Sequence, residues 1–182
     1  MCKKQKIFLI GIGMGSRESM TVEAAEAIRA CDCMIGAQRM LDSARNVRYG
    51  TDRQEAHVPE VCEYNADKIF AYSESHPECA CIAVLLSGDT GFYSGAKKLS
   101  EMFASYPDRF EVKMIPGISS VVCLAARLKT TWEDGTVISL HGQEENFIQT
   151  VNKSRKTFLL LGGKDAGTKM ITQLKEYRMN DV

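Results

Sequence analysis

Short apolar runs alternate with amphipathic stretches along this chain. Residues 6–12 (KIFLIGI) read as a strand, and 21–30 (TVEAAEAIRA) as a helix. Residues 33–36 (CMIG) form a second short strand and 39–45 a second helix. The spacing then predicts one long helix over 60–75, a strand over 81–87 (CIAVLLS) and a helix over 95–106. A strand over 110–116 (FEVKMIP) and a helix over 118–128 follow. This alternation belongs to the α/β class, with βα units around a mainly parallel sheet. Residues 79–86 are nearly all apolar, as in a strand covered on both faces. The segment 129–135 (KTTWEDG) is polar and turn-rich and is read as an interdomain connection, giving domains 1–129 and 130–182. After it come a strand over 136–142 (TVISLHG), a helix near 146–151, a strand over 156–163 (KTFLLLGG) and a helix over 165–177. Two strands make a thin sheet, since sheets usually have roughly 4–6. The second domain is therefore expected to be incomplete in this chain.

Composition narrows the picture. The chain has 182 residues, 45% of them hydrophobic and 25% charged, which is ordinary for a folded globular protein. Lys plus Arg (23) balance Asp plus Glu (23), so no general field draws it to nucleic acid or to an anionic membrane. No apolar stretch approaches the roughly 20 residues that span a bilayer. The basic start runs directly into a strand without a cleavage-type segment, so a cytoplasmic protein is expected. Seven cysteines are an odd count, which argues against a disulfide framework there. The CxC pairs Cys31/Cys33 and Cys79/Cys81 read as buried free thiols. His57, His76 and His141 are too scattered for a metal cluster, and no metal is expected.

Three glycine-bearing segments each follow a strand and precede a helix: Gly11-Ile12-Gly13-Met14-Gly15-Ser16, Ser87-Gly88-Asp89-Thr90-Gly91-Phe92-Tyr93-Ser94, and Pro116-Gly117-Ile118-Ser119-Ser120. Loops at the carboxyl ends of such strands expose backbone N–H groups to ligands. The first loop alone also fits a dinucleotide-binding turn. Ser16, however, stands where that turn wants a third glycine, and the nearby acid, Asp32, precedes the second strand instead of ending it. In the second loop Asp89 is either a ligand-side carboxylate or the cap of a helix starting near Tyr93. In the third, Ser119 or Ser120 can cap the next helix.

Taken together, the order and spacing of these loops resemble the tetrapyrrole methylases. Thr131-Trp132-Glu133-Asp134 followed by Val137-Ile138-Ser139-Leu140-His141-Gly142 is similar to the branch that methylates carbon 5 of precorrin-6Y, precorrin-7 or cobalt-precorrin-7 in cobalamin synthesis. The resemblance implies two αβα domains with the active-site cleft between them. It implies S-adenosyl-L-methionine, leaving as S-adenosyl-L-homocysteine, held by Ser87, Gly88, Asp89, Phe92, Ser119 and Ser120 and by Leu161 and Gly162 of the second domain. The first loop, through Gly13, Met14 and Gly15, would face the macrocycle. Relatives commonly have proline where this chain has Met14, and proline or a small residue where it has Thr90. They also continue beyond the helix ending near Tyr177.

Methyl transfer from a sulfonium is a direct displacement, so a protein must align the partners and exclude water. A base may then remove a proton; Asp89, Tyr93 and His141 are candidates by type. Arg17 and Arg39 are the candidate partners of substrate carboxylates. A homodimer is expected, with a carbon-15 methylating and decarboxylating activity on a separate partner or fused domain. The alternatives are diphthine synthase, a ribosomal-RNA ribose methylase, a nicotinamide-dependent oxidoreductase and a non-catalytic tetrapyrrole-binding subunit.

Overall fold

The structure, a computed structural model, describes residues 4–50, 57–140 and 147–179. It comprises two compact units, Met1–Cys123 and Leu124–Val182. The first holds β1 (Gln5–Gly11), α1 (Val22–Ala30), β2 (Cys33–Gly36), α2 (Gln38–Arg48), β3 (Glu60–Cys62), α3 (Ala66–Ser75), β4 (Cys81–Leu86), α4 (Ala96–Ala104) and β5 (Phe110–Ile115). The division falls within α5 (Ser120–Arg127). All five strands of the first unit run parallel, in the order β3-β2-β4-β1-β5.

Each face of this sheet is roofed by two helices. Ala24 and Ile28 of α1 and Leu41, Ala44 and Val47 of α2 close over Ile10, Met34, Ala83, Leu85 and Ile115. On the other face Ile69 of α3 and Ala96, Leu99 and Phe103 of α4 cover Ile7, Leu9, Ile35, Ile82, Val84 and Phe110. Each of the larger side chains among them, the Ile, Leu, Val, Met and Phe residues, contributes about 1.5–3 kcal/mol by leaving water. The αβα layering expected from the alternation is present, and β4 is apolar throughout because both of its faces are roofed.

The sequence reading fails at 60–75. Glu60–Cys62 is an edge strand on β2, with Met34 opposite Glu60 and Ile35 opposite Val61. The helix begins only at Ala66, where the Asn65 side chain accepts from the N–H groups of Asp67 and Lys68. Glu63 Oε1 accepts from the N–H groups of Tyr64 and Asn65 and fixes the turn between them. Arg45, on α2, donates through Nε to Glu60 Oε2 at 2.8 Å. A strand ladder, a charged clamp and a cap thus replace two helical turns. The following helix, α4, starts at Ala96, within the expected 95–106 and not near Tyr93, where Asp89 could have capped it.

The second unit contains β6 (Thr136–Ser139), α6 (Phe147–Lys153), β7 (Thr157–Leu160) and α7 (Ala166–Glu176). β6 and β7 pair in parallel from Thr136 opposite Thr157 to Ser139 opposite Leu160. Among the described residues Ala125, Ile138, Phe147 and Phe158 are its buried apolar side chains. The polar 131–135 turn is tied down by Lys156, whose Nζ donates to Thr131 O and Asp134 Oδ1, both at 2.7 Å. The Lys156 bond, and after it one donated by the Thr131 hydroxyl at 2.9 Å, hold the Asp134 carboxyl below its usual range. No helix among the described residues is long and apolar enough to cross a membrane.

Strand order brings the three glycine loops together, because β4 and β5 flank β1. Gly13 and Gly88 exchange N–H···O bonds of 3.0 Å across the first two loops. The third enters through Gly117, where a Cβ would stand 2.2 Å from Gly88 O and 2.5 Å from Gly11 O. A Cβ on Gly11 would likewise meet Gly88 O at 2.7 Å and Gly117 N at 2.8 Å. Three backbones meet at a spacing that side chains forbid.

Gly117→Ala should therefore cost about 3 kcal/mol in urea unfolding, the upper end for overpacking, because backbone carbonyls cannot step aside. Gly88→Ala, with φ of +67° but nothing nearer than 3.8 Å, should cost only about 1 kcal/mol; equal losses would contradict the close approach. Thiol labelling provides a second check. Burial pushes the Cys31 thiol up to about 12 and Cys33 up to about 11, whereas Cys62 is exposed. Brief alkylation at mildly alkaline pH, read by peptide mass spectrometry, should label Cys62 well before Cys31 or Cys33.

Candidate functional site

The first loop turns on Gly13 and Gly15, with φ of +60° and +87°, in the left-handed region that glycine adopts at least cost. Gly15 N–H donates to Ile12 O at 3.1 Å and closes the turn. Behind it stands α2: a Cβ on Gly15 would lie 2.7 Å from Ser43 Oγ and 3.6 Å from Arg39 Nη1. Arg39 also reaches the second loop, where its Nη2 donates to Ser87 Oγ at 2.8 Å. The guanidinium thus bonds the second loop and stands beside the first, and among the described residues no carboxylate lies within ion-pair distance of it. Met14 is half-buried between these supports, and Arg17 is exposed on the short 3-10 turn Arg17–Ser19.

Asp89 binds the second loop to the third. Its Oδ1 accepts from Gly91 N at 2.8 Å and its Oδ2 from Gly117 N at 3.1 Å. It does not cap α4; that start is served by Ser94 Oγ, which accepts from Ala96 N at 3.2 Å. With an oxygen on each loop, Asp89 is a positioning residue that sets their separation. Ser119 is buried and caps α5, accepting from Val122 N at 3.3 Å, while Ser120 is exposed. Pro116 O receives the Thr21 hydroxyl at 3.4 Å, so the cap of α1 also steadies the third loop.

Phe92 is half-buried and meets the Tyr93 ring edge to face at 5.0 Å between centroids. Tyr93 has φ of +47° and is 63% exposed; a tyrosine in that region is uncommon and is held by its surroundings. Leu161 and Gly162 occupy the turn between β7 and α7 of the second unit. His141 and Gly142 lie outside the described residues.

The first unit therefore brings together Ser87, Gly88, Asp89, Ser119, Ser120 and the Gly13–Gly15 turn, with Arg39 at their edge. A Cβ on Gly88 would rest in ordinary van der Waals contact with Ser119 Cα at 3.8 Å and Ser120 N at 4.0 Å, so the second and third loops lie directly against each other there. Thr21 and Ser43 were missed as supports, because neither the cap of α1 nor a serine within α2 carries a sequence mark of what else it touches. Asp32 is remote from the loops: its Oδ2 accepts from Cys81 N, where the chain enters β4. Among the described residues no group of three or more His, Cys, Asp or Glu side chains is placed to hold a metal.

Comparison with known proteins places this geometry. A probable cobalt-precorrin-7 C(5)-methyltransferase of Methanocaldococcus jannaschii is 31% identical over 146 residues, covering 80% of this chain and 65% of that protein. A probable cobalt-factor III C(17)-methyltransferase of Methanothermobacter thermautotrophicus is 29% identical over 134 residues, 74% of this chain and 36% of that protein. The chain thus spans less than two thirds of either relative. The crystal structure of a precorrin-6Y methylase from Archaeoglobus fulgidus superimposes with a TM-score of 0.55 at 27% identity, covering 75% of this chain and 64% of the other. Residues 6–182 match the family model of the tetrapyrrole (corrin/porphyrin) methylases, and the chain belongs to that family.

Proposed function

We propose that this chain carries out, or forms the main part of an enzyme that carries out, methylation of carbon 5 of a corrin precursor in cobalamin synthesis, with S-adenosylmethionine as donor. The observation that carries this reading is the backbone junction at Gly11, Gly88 and Gly117, which gathers Ser87, Asp89, Ser119 and Ser120 at the carboxyl ends of β1, β4 and β5. The likeness to a C(5)-methyltransferase supports the position on the ring. The likeness to a C(17) enzyme makes carbon 17 the second reading.

Bound there, S-adenosylmethionine supplies an electrophilic methyl group. Ser87, Gly88, Ser119 and Ser120 offer hydroxyl and backbone groups to its polar parts, and Phe92 offers an apolar face. Leu161 and Gly162 join them through the family resemblance alone. Asp89 holds the two loops at a fixed spacing, so the donor meets a preformed surface. Gly13, Met14 and Gly15 face the macrocycle, and Arg39 takes one of its carboxylates, exchanging a neutral hydroxyl partner for a charged one. Arg17 is a second, more exposed cation for the same purpose. An electron-rich ring supplies its own nucleophilic carbon, so proton removal is the remaining chemical task. Tyr93 fits that task better than Asp89, whose two oxygens already accept backbone N–H bonds; His141 is the other candidate. A homodimer and a separate carbon-15 activity belong to the same reading.

Calorimetry with S-adenosylhomocysteine should show binding to the intact chain. Asp89→Ala should weaken it about tenfold, equivalent to one charge-assisted hydrogen bond, while Asp32→Ala leaves it unchanged. Arg39→Ala should raise KM for the corrin precursor and leave cofactor affinity alone. Product NMR that places the new methyl on carbon 17, or an absence of both binding and turnover, would overturn the carbon-5 assignment.

A further inference from the structure

The row of β5 side chains facing α4 runs Phe110, Val112, Met114, because alternate residues share a face. Phe110 is buried and Val112 packs beside it in the same core, but Met114 is 42% exposed. The helix begins too late to cover it. Above Met114 lies a cleft of about 550 Å³, walled by Thr90, Tyr93 and Ser94 of the second loop and by Lys97 and Glu101 of α4. It lies at the carboxyl ends of the strands, on the side of the second loop that belongs to α4.

Two observations mark this cleft as built for a ligand. Thr90 is only 6% exposed, lines the cleft, and its hydroxyl has no hydrogen-bond partner among the described residues. The start of α4 is also unsatisfied: Ser94 takes the N–H of Ala96, leaving those of Lys97 and Lys98 without acceptors among the described residues. That helix end is electropositive. Lys97 carries only a loose partner, Glu101 at 4.0 Å.

We infer that this cleft binds one peripheral carboxylate arm of the macrocycle, its aliphatic stem lying on Met114 and its head meeting the Thr90 hydroxyl, the Lys97 ammonium and the free N–H groups of α4. The inference rests on the corrin reading above and adds a second anchoring point to the one at Arg39. A single lysine above an apolar floor suits a monoanion on a short stem better than a phosphate. Glu101 competes with that arm for Lys97.

The test is a fluorescence titration of the intact chain with uroporphyrin I, which carries acetate and propionate arms. Thr90→Val and Lys97→Met should each weaken binding about fivefold, the scale of one partly screened polar contact. Glu101→Gln should tighten binding about twofold, because it removes the competitor. S-adenosylhomocysteine affinity, measured on the same samples, should not move and shows that each variant is folded. Wild-type binding that none of the three substitutions changes would overturn the inference and leave the corrin reading standing. Free propionate shifting the amide NMR signals of Lys97 and Lys98, with porphyrin affinity unchanged in the variants, would also overturn it. A wild-type chain that binds neither porphyrin nor S-adenosylhomocysteine would remove the corrin reading and the inference together.

Discussion

Backbone contact without side chains is the constraint on which the rest of this site depends. At Gly11, Gly88 and Gly117 three loops approach so closely that a single methyl group on the last would overlap two carbonyl oxygens. Every other contact of the site is a consequence of that approach. Asp89 can reach the N–H of Gly117 only because the third loop lies against the second. Arg39 can touch Ser87 while standing behind Gly15 only because the first loop is paired to Gly88. The packed core below supplies the rigidity, with α1 and α2 on one face and α3 and α4 on the other.

Much of this was legible in the sequence, because the signals were local. Uninterrupted apolar residues at 82–85 marked a strand roofed on both faces, and Gly-containing segments after strands marked the loops. What escaped was non-local. Residues 60–75 carry a helical apolar spacing, but the pairing of Val61 with Ile35 and the clamp from Arg45 to Glu60 depend on chain segments far from that window. Strand order was equally invisible, although the meeting of the three loops follows from it. The place of Asp89 shows the same limit: its residue type allowed a cap or a ligand group, and only the fold showed that its second oxygen serves a loop 28 residues away.

The thiols show how one physical cause can account for a sequence feature and its chemistry. Cys31 and Cys33 flank Asp32 where the chain enters β2, and Cys79 and Cys81 stand about the start of β4, so the two CxC pairs fall on neighbouring strands. Their crowding is a matter of packing: burial is the first cause raising each of these four thiols. A protonated thiol in such a place behaves as a small hydrophobe.

The strand order also dictates when the site can exist. β1 is made first, yet its two neighbours are β4, where Lys6 stands opposite Cys81, and β5, where Gln5 stands opposite Phe110. A chain emerging from the ribosome therefore holds an apolar strand with both edges unpaired until β4 is made, and with one edge still open until residue 115 has been synthesised. The glycine junction closes last, and loop-closure entropy must be met before it brings any reward. Folding of this unit is thereby tied to the completion of β5, and a nascent chain stalled before that point would expose a sticky strand and no site.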